Sequence, residues 1–238
     1  IMPSLVGSEM CIRDRYSDMP FVIMLDEDEN GYKAGRFLRA SDLGMSGENN
    51  EWKPVIQDKL SQQLLVPNGT MGQRWEEGKK WNLKLETEDG TPIDPMLSMA
   101  ESDYHVETIQ FPYFDSSGDG IFERPIATRT IQLANGEKVK IATVYDLMTS
   151  QYGVQRFEHE LEATSYDDAS SKYTPAWQEQ ITGIKKELVT KVAKEFAQNA
   201  IDTGGRSMII MGAGINHWFN SDTIYRSILN LVLLCGCQ

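Results

Sequence analysis

Histidine and cysteine are scarce in this chain, with 3 of each in 238 residues. So few cysteines cannot build a disulfide framework, and a reducing compartment is the simpler reading. Basic residues are also short, 23 Lys and Arg against 35 Asp and Glu, for a formal net charge of −12. Such a field repels nucleic-acid phosphates and anionic lipid alike, so a nucleic-acid partner is not expected. No run approaches the roughly 18 apolar residues that a transmembrane helix needs, so direct membrane insertion is not expected either. The most apolar stretch, residues 228–235, reads as a buried helix. Also lacking are a G-x-S-x-G elbow, a Walker loop, internal repeats and low-complexity tracts. His159-Glu160 has no second histidine at zinc-protease spacing.

Three further patterns look like sites and stop short of being one. Residues 115–120 imitate the opening of a calcium loop, but the twelfth position is Ile126 in place of a bidentate glutamate, which leaves a polar turn. Cys235 and Cys237 form a C-x-C pair without the further ligands that zinc or an iron–sulfur cluster requires. Asn68-Gly69-Thr70 fits a glycosylation sequon and is read as incidental.

Along the chain, Phe21 to Leu25 reads as a buried strand, ended by an acidic turn from Asp26 to Gly31. Residues 35–43 begin a second strand or a short helix. From 46 to 124 the pattern is irregular, with Trp52, Trp75 and Trp81 available for a small satellite core, and only short strands are expected. Alternating residues on either side of Asn135-Gly136 predict a β-hairpin over 130–143 with a type I′ turn. A helix over 144–152 should stop at Gly153. Thr174-Pro175 supplies a capping hydroxyl and a first-turn proline for a helix ending at Gly183. A second helix follows, with Leu188, Val189, Val192, Ala193, Phe196, Ala197 and Ala200 on one face and Gly204-Gly205 after it.

The closing third carries the most chemistry. Residues 207–211 are long enough for a buried strand, Gly212 and Gly214 make a turn, and Ile224, Ile228, Leu231 and Val232 recur at helical spacing. Helix, helix, strand, glycine turn and helix add up to an α/β layer. Ligands of open α/β sheets bind at this strand end, where glycines let a ligand approach the backbone and free N–H groups favour an anion. On spacing alone, the turn is equally a plain connection between strand and helix.

Residues 5–14, LVGSEMCIRD, resemble a reading frame through a sequencing-library adapter, with Arg15 at the junction. Residues 1–15 have neither the charged start nor the apolar core of a signal peptide and are set aside as non-native. From Tyr16 on, the chain resembles an internal segment of the catalytic alpha subunit of respiratory nitrate reductases, in the dimethyl sulfoxide reductase superfamily of molybdopterin oxidoreductases. The resemblance rests on YSDMPFVIML (16–25), GRFLRASDL (35–43), VPNGTMGQRWEEGKKWNL (66–83), FPYF (111–114), TVYDLMTSQYG (143–153), ATSYDDASSKYTPAWQEQITGI (163–184) and the block from Gly205 to Cys237 containing GAGINHW.

The resemblance implies a mixed α/β segment: a scar over 1–15, an α/β piece over 16–45, a loop-rich, partly β insertion over 46–128, and a hairpin plus α/β cofactor-binding portion over 129–238. It implies nitrate reduction to nitrite at a molybdenum bis(molybdopterin guanine dinucleotide) centre. Electrons from quinol would arrive through 4Fe-4S clusters bound outside these residues. An iron–sulfur beta subunit and a membrane haem b gamma subunit would hold the enzyme at the cytoplasmic face of the bacterial inner membrane. Gly212, Gly214, Asn216, His217 and Trp218 become the cofactor-side residues, with His217 facing nitrate and no residue assigned as a metal ligand. The segment alone is expected to be inactive. A related enzyme acting on chlorate, perchlorate or selenate, and a non-catalytic nucleotide-binding α/β module, remain the alternatives.

Overall fold

The computed structural model describes residues 17–68, 85–115 and 118–237. The adapter-like stretch 1–15, Trp75 and Trp81 fall outside them. The chain divides into two units, residues 18–162 and residues 163–237 with Ser17.

The first unit is a closed five-stranded barrel. β1 (Val22–Asp28) turns tightly into β2 (Gly31–Phe37). Asp28 accepts the Asn30 N–H at 2.8 Å and holds the Lys33 ammonium at 3.0 Å. The acidic run is therefore mostly strand, and only Glu29 and Asn30 are left to turn. Residues 35–43 prove to be both of the expected alternatives, the end of β2 followed by a 3-10 turn at Ala40–Leu43.

β2 pairs in parallel with β5 (His105–Asp115) through Tyr32↔Ile109 and Lys33↔Gln110. Parallel neighbours need a long connection, and residues 38–104 provide it. That segment carries the ribbon of β3 (Ile56–Gln57) and β4 (Leu64–Leu65) and a 3-10 turn at Met99–Glu101.

The expectation of short strands alone up to residue 124 is corrected here. β5 and β6 (Gly118–Gln132) form one continuous antiparallel ladder from His105↔Thr128 to Asp115↔Gly118. Pro112 and Pro125 mask the strand pattern in the sequence, because proline removes a ladder donor and argues against a central strand. Aromatic stacking of Phe111 on Phe122, with centroids 5.5 Å apart, contributes to the pairing.

β6 passes to β7 (Lys138–Thr143) through the expected hairpin. Its turn differs from the expected type I′, which needs positive φ at both central residues. Gly136 has φ +88° while Asn135 is not among the positive-φ residues. Gly136 N–H bonds Leu133 O at 2.9 Å and Leu133 N–H bonds Glu137 O at 2.8 Å. This is the longer loop, in which a turn is followed by a glycine bulge.

β7 pairs with β1 and closes the barrel. Val22, Met24, Ala127 and Ile141 from the strands fill its core with Leu38, Val55 and Met99 from the crossover. Strands from the 16–45, 46–128 and 129–238 stretches thus share one barrel. Helix α1 (Val144–Gln151) follows, capped by Thr143, and Gly153 beyond it has φ +72°.

The second unit is helical among its described residues. α2 (Pro175–Thr182) starts where Thr174 Oγ1 accepts the Trp177 N–H at 3.1 Å and stops at left-handed Gly183. α3 (Lys186–Thr203) stops at left-handed Gly204. α4 (Ala213–Asn216) is a single turn, and α5 is Ser221–Leu234. Ala200, Cys235 and Cys237 are buried together, with Phe196, Ala197 and Val232 packed on them. A Cβ on Gly205 would stand 2.4 Å from Gly236 O, so this junction admits only glycine.

The strand expected at 207–211 does not form. A strand needs a hydrogen-bonded neighbour, and every strand among the described residues lies in the barrel unit. The amphipathic reading of α3 holds as a pattern, yet only Ala200 of that face is buried, while Leu188 and Val192 are more than half exposed.

Candidate functional site

Chain direction through the glycine turn is set by helix ends. After α3 stops, residues 206–212 lead to Gly212, which starts α4 without a side-chain cap. Ile215 N–H bonds Gly212 O at 3.1 Å, Trp218 N–H bonds Ile215 O at 3.2 Å, and Ser221 N–H bonds Trp218 O at 3.1 Å. The Tyr225 hydroxyl on α5 donates to Asn216 Oδ1, which ties the turn to the helix behind it.

Gly212, Gly214, Asn216, His217 and Trp218 are all exposed, and Trp218 keeps 68% of its surface. A Cβ built on Gly212 or Gly214 meets nothing within 4 Å. Neither glycine has a positive φ. Nothing among the described residues therefore requires glycine at these two positions. What their bareness provides is an open backbone flanked by an imidazole and an indole, a surface that a large flat group can approach.

Both cysteines of the C-x-C pair are reduced and buried. Burial pushes the Cys237 thiol up, partly offset by the Ser207 N–H, so it is a poor thiolate. Among the described residues, no group of three or more His, Cys, Asp or Glu side chains is placed to hold a metal ion. No helix among them is long and apolar enough to cross a membrane.

The barrel unit contains a polar cluster that the sequence reading missed. Asp146, fully buried at the start of α1, accepts from Arg156 Nη1 and Ser98 Oγ at 2.6 Å each, Met99 N–H at 2.8 Å and Thr143 Oγ1 at 2.9 Å. Arg156 also reaches Thr149 Oγ1 at 3.2 Å. Nearby, the Glu162 carboxylate gathers the N–H groups of Arg156, Phe157 and His159. The legible signal was Thr143 with Asp146 three residues on, the spacing of a helix cap. Every member is satisfied by another, so the cluster ties the crossover to α1 and leaves no group free for chemistry.

A cleft of about 910 Å³ lies on the barrel, lined in part by Asp26, Tyr32, Arg36, Asp42 and Lys140. Its charges are largely paired. Arg36 grips both oxygens of Asp42 at 2.7 Å, and Lys140 pairs with Glu107. Burial works against the Lys140 charge, but Glu107 and Tyr32 outweigh it and hold the ammonium above its ordinary pKa.

Comparison with known proteins adds what this geometry leaves open. No protein-family model matches the chain. It is 52% identical over 94% of its length to the nitrate reductase alpha chain of Bacillus subtilis (strain 168). It is 42% identical over 94% of its length to the respiratory nitrate reductase 1 alpha chain of Escherichia coli (strain K12). Against the perchlorate reductase subunit alpha of Dechloromonas aromatica (strain RCB), identity is 23% over 85% of this chain. The chain spans 18% and 19% of the first two relatives and 17% of the third.

Proposed function

We infer that this chain belongs to the nitrate reductase alpha-chain family as a segment just under a fifth of such a subunit, and that it serves the catalytic subunit of a respiratory nitrate reductase. The observation that carries the reading is 42–52% identity to nitrate reductase alpha chains across 94% of the chain. The 23% identity to a perchlorate reductase subunit ranks a (per)chlorate or selenate reductase second.

The full-length subunit would bind molybdenum bis(molybdopterin guanine dinucleotide), which when bound supplies the redox metal that takes an oxygen atom from nitrate. The glycine turn fits such a group. It is exposed, and its two glycines leave room where any other residue would place a side chain. Gly212 and Gly214 would let the backbone lie against the pterin, and Trp218 would offer a ring face or its indole N–H. Asn216 uses its Oδ1 on Tyr225 and keeps its amide N–H groups for the ligand. His217 would donate a hydrogen bond to a nitrate oxygen and hold the anion in orientation. Reduction of nitrate to nitrite consumes protons, and an imidazole at this position can relay one.

Electrons would reach the site through 4Fe-4S clusters bound outside this segment, from a beta subunit and a quinol-oxidising haem b gamma subunit at the cytoplasmic face of the inner membrane. The segment alone would not turn over. Nitrate-dependent oxidation of reduced viologen by the full-length subunit, with chlorate, perchlorate and selenate in parallel, tests the assignment. Failure to oxidise viologen with nitrate, or a purified subunit without molybdenum, would overturn it.

A further inference from the structure

The glycine turn has little to hold it from within. α4 is one turn of four residues, and Gly212 gives it no side-chain cap. A single helical turn fixes several residues for few hydrogen bonds, so it is marginal by itself. Among the described residues, one side-chain hydrogen bond reaches residues 212–218, from the Tyr225 hydroxyl to Asn216 Oδ1 nine positions earlier. Its donor stands on firmer backbone. α5 runs for 14 residues, and Val232 on that helix packs against the buried Ala200, Cys235 and Cys237.

The two ends of an asparagine amide are unlike. Oδ1 only accepts and Nδ2 only donates, and the torsion that exchanges them is broad and two-fold, so a free side chain samples both orientations. Here the Tyr225 hydroxyl fixes the choice. Oδ1 is turned toward α5, and Nδ2 has no partner among the described residues. Asn216 is exposed, so what it offers outward is a pair of N–H donors. Their complement is an acceptor, such as a phosphate, carbonyl or nitrate oxygen.

We propose that Tyr225 is a positioning residue for the glycine-turn site, its hydroxyl holding Asn216 so that both amide N–H groups face an acceptor oxygen of the bound cofactor or of nitrate. The proposal rests on the reading that this turn faces the molybdenum cofactor. Tyr225 acts through Asn216, by removing the orientation in which the amide would present its own oxygen to another. A donor oriented before the ligand arrives loses less freedom on binding than one that has to be ordered at that moment.

Tyr225→Phe, Asn216→Asp and Asn216→Ala in the full-length alpha subunit test it, each read by molybdenum and pterin content, by KM and kcat for nitrate, and by melting temperature. Phenylalanine keeps the ring and removes the hydroxyl, so the melting temperature should stay close to that of the unaltered subunit. If the acceptor belongs to the cofactor, molybdenum and pterin content should fall together. If it is a nitrate oxygen, content should hold and KM should rise up to about tenfold with kcat unchanged, the scale of one neutral hydrogen bond. Asn216→Asp keeps the shape and still accepts from Tyr225, but it sets an oxygen where the donors were, so the same readout should change by more than in Tyr225→Phe. Adding Tyr225→Phe to Asn216→Ala should change nothing further, because a positioning residue has no effect once its target is gone.

A second loss that adds to the first would overturn the proposal. A lowered melting temperature with content, KM and kcat unaltered would do the same, since the bond would then be structural alone. Asn216→Asp behaving like the unaltered subunit would also overturn it, because the donors would be dispensable. Asn216→Ala distinguishes this claim from the wider reading. If it alters neither content nor KM, the turn does not serve the site; if it alters them and Tyr225→Phe does not, the positioning role alone is lost.

Discussion

Arg156 Nη1 stands 2.6 Å from Asp146 Oδ1, and the carboxylate it meets is fully buried. Ten residues separate them in sequence, and between them they join the first turn of α1 to the loop that follows it. Asp146 also holds Ser98 and Met99, which come from the crossover segment.

Removing either partner should therefore cost more than a surface pair would. Breaking a buried pair strands the other charge, at about 3–5 kcal/mol. Arg156→Ala and Asp146→Ala should each destabilise the barrel on that scale in urea unfolding, and Lys33→Ala, which breaks an exposed, solvent-screened pair with Asp28, should shift the urea midpoint far less than either. Equal effects would refute the assignment of the first pair as a structural tie.

Acid should loosen the barrel through Asp42. The Arg36 fork, ahead of the Arg39 N–H, holds this carboxyl below the usual aspartate range although burial opposes it. Since its folded pKa lies below the unfolded value, the stabilisation is complete above the unfolded pKa, about 4. It is lost as pH falls through the folded pKa. Asp42→Asn should flatten the stability profile in that acid window and leave its slope above pH 5 unaltered.

Gly35 sits where the β1–β2 register shifts, and a Cβ there would lie 2.6 Å from Asp26 Oδ1 and 2.7 Å from Met24 O. The second contact is backbone and cannot swing aside. Gly35→Ala should destabilise the barrel by about 1–3 kcal/mol, while Gly90→Ser, at a turn with open space, tests only its φ of +85° and should disturb β1–β2 pairing not at all by amide exchange.

Gly214→Val separates cofactor contact from folding. The added side chain has open space among the described residues, so the circular dichroism of the chain alone should be preserved. Pterin and molybdenum content of the full-length subunit should fall. Retained content would show that the turn does not face the group.

His217→Ala should leave molybdenum content intact and lower kcat for nitrate about a hundredfold, the usual loss when one donor to a reacting anion is removed. A change in KM alone would assign His217 to binding without a role in the chemical step.

Much of the local structure was legible because it depends on neighbours in sequence. Thr174-Pro175 and Gly183 bound α2, Gly204 ends α3, and Asn135-Gly136 marks the bend between β6 and β7. Even there the turn type was misread, since Gly136 alone takes the positive φ. The β5–β6 ladder was hidden by Pro112 and Pro125, each of which lacks a backbone donor and so argues against a central strand in the sequence. Asp146 and Arg156 gave no warning, because their distance depends on the path of the loop between them. The glycine turn was visible as a pattern, and its openness became evident only when a side chain could be built onto it.

The sequence by itself determined helix ends, the late hairpin and the similarity to nitrate reductase alpha chains, because caps, turns and identities are properties of short stretches of chain. Tertiary structure decided the barrel's closure, its parallel β2–β5 seam and the burial of Asp146, since each depends on segments tens of residues apart coming into hydrogen-bonding range. It also decided that residues 208–211 have no strand partner among the described residues, because an apolar run becomes a strand only when another backbone lies beside it.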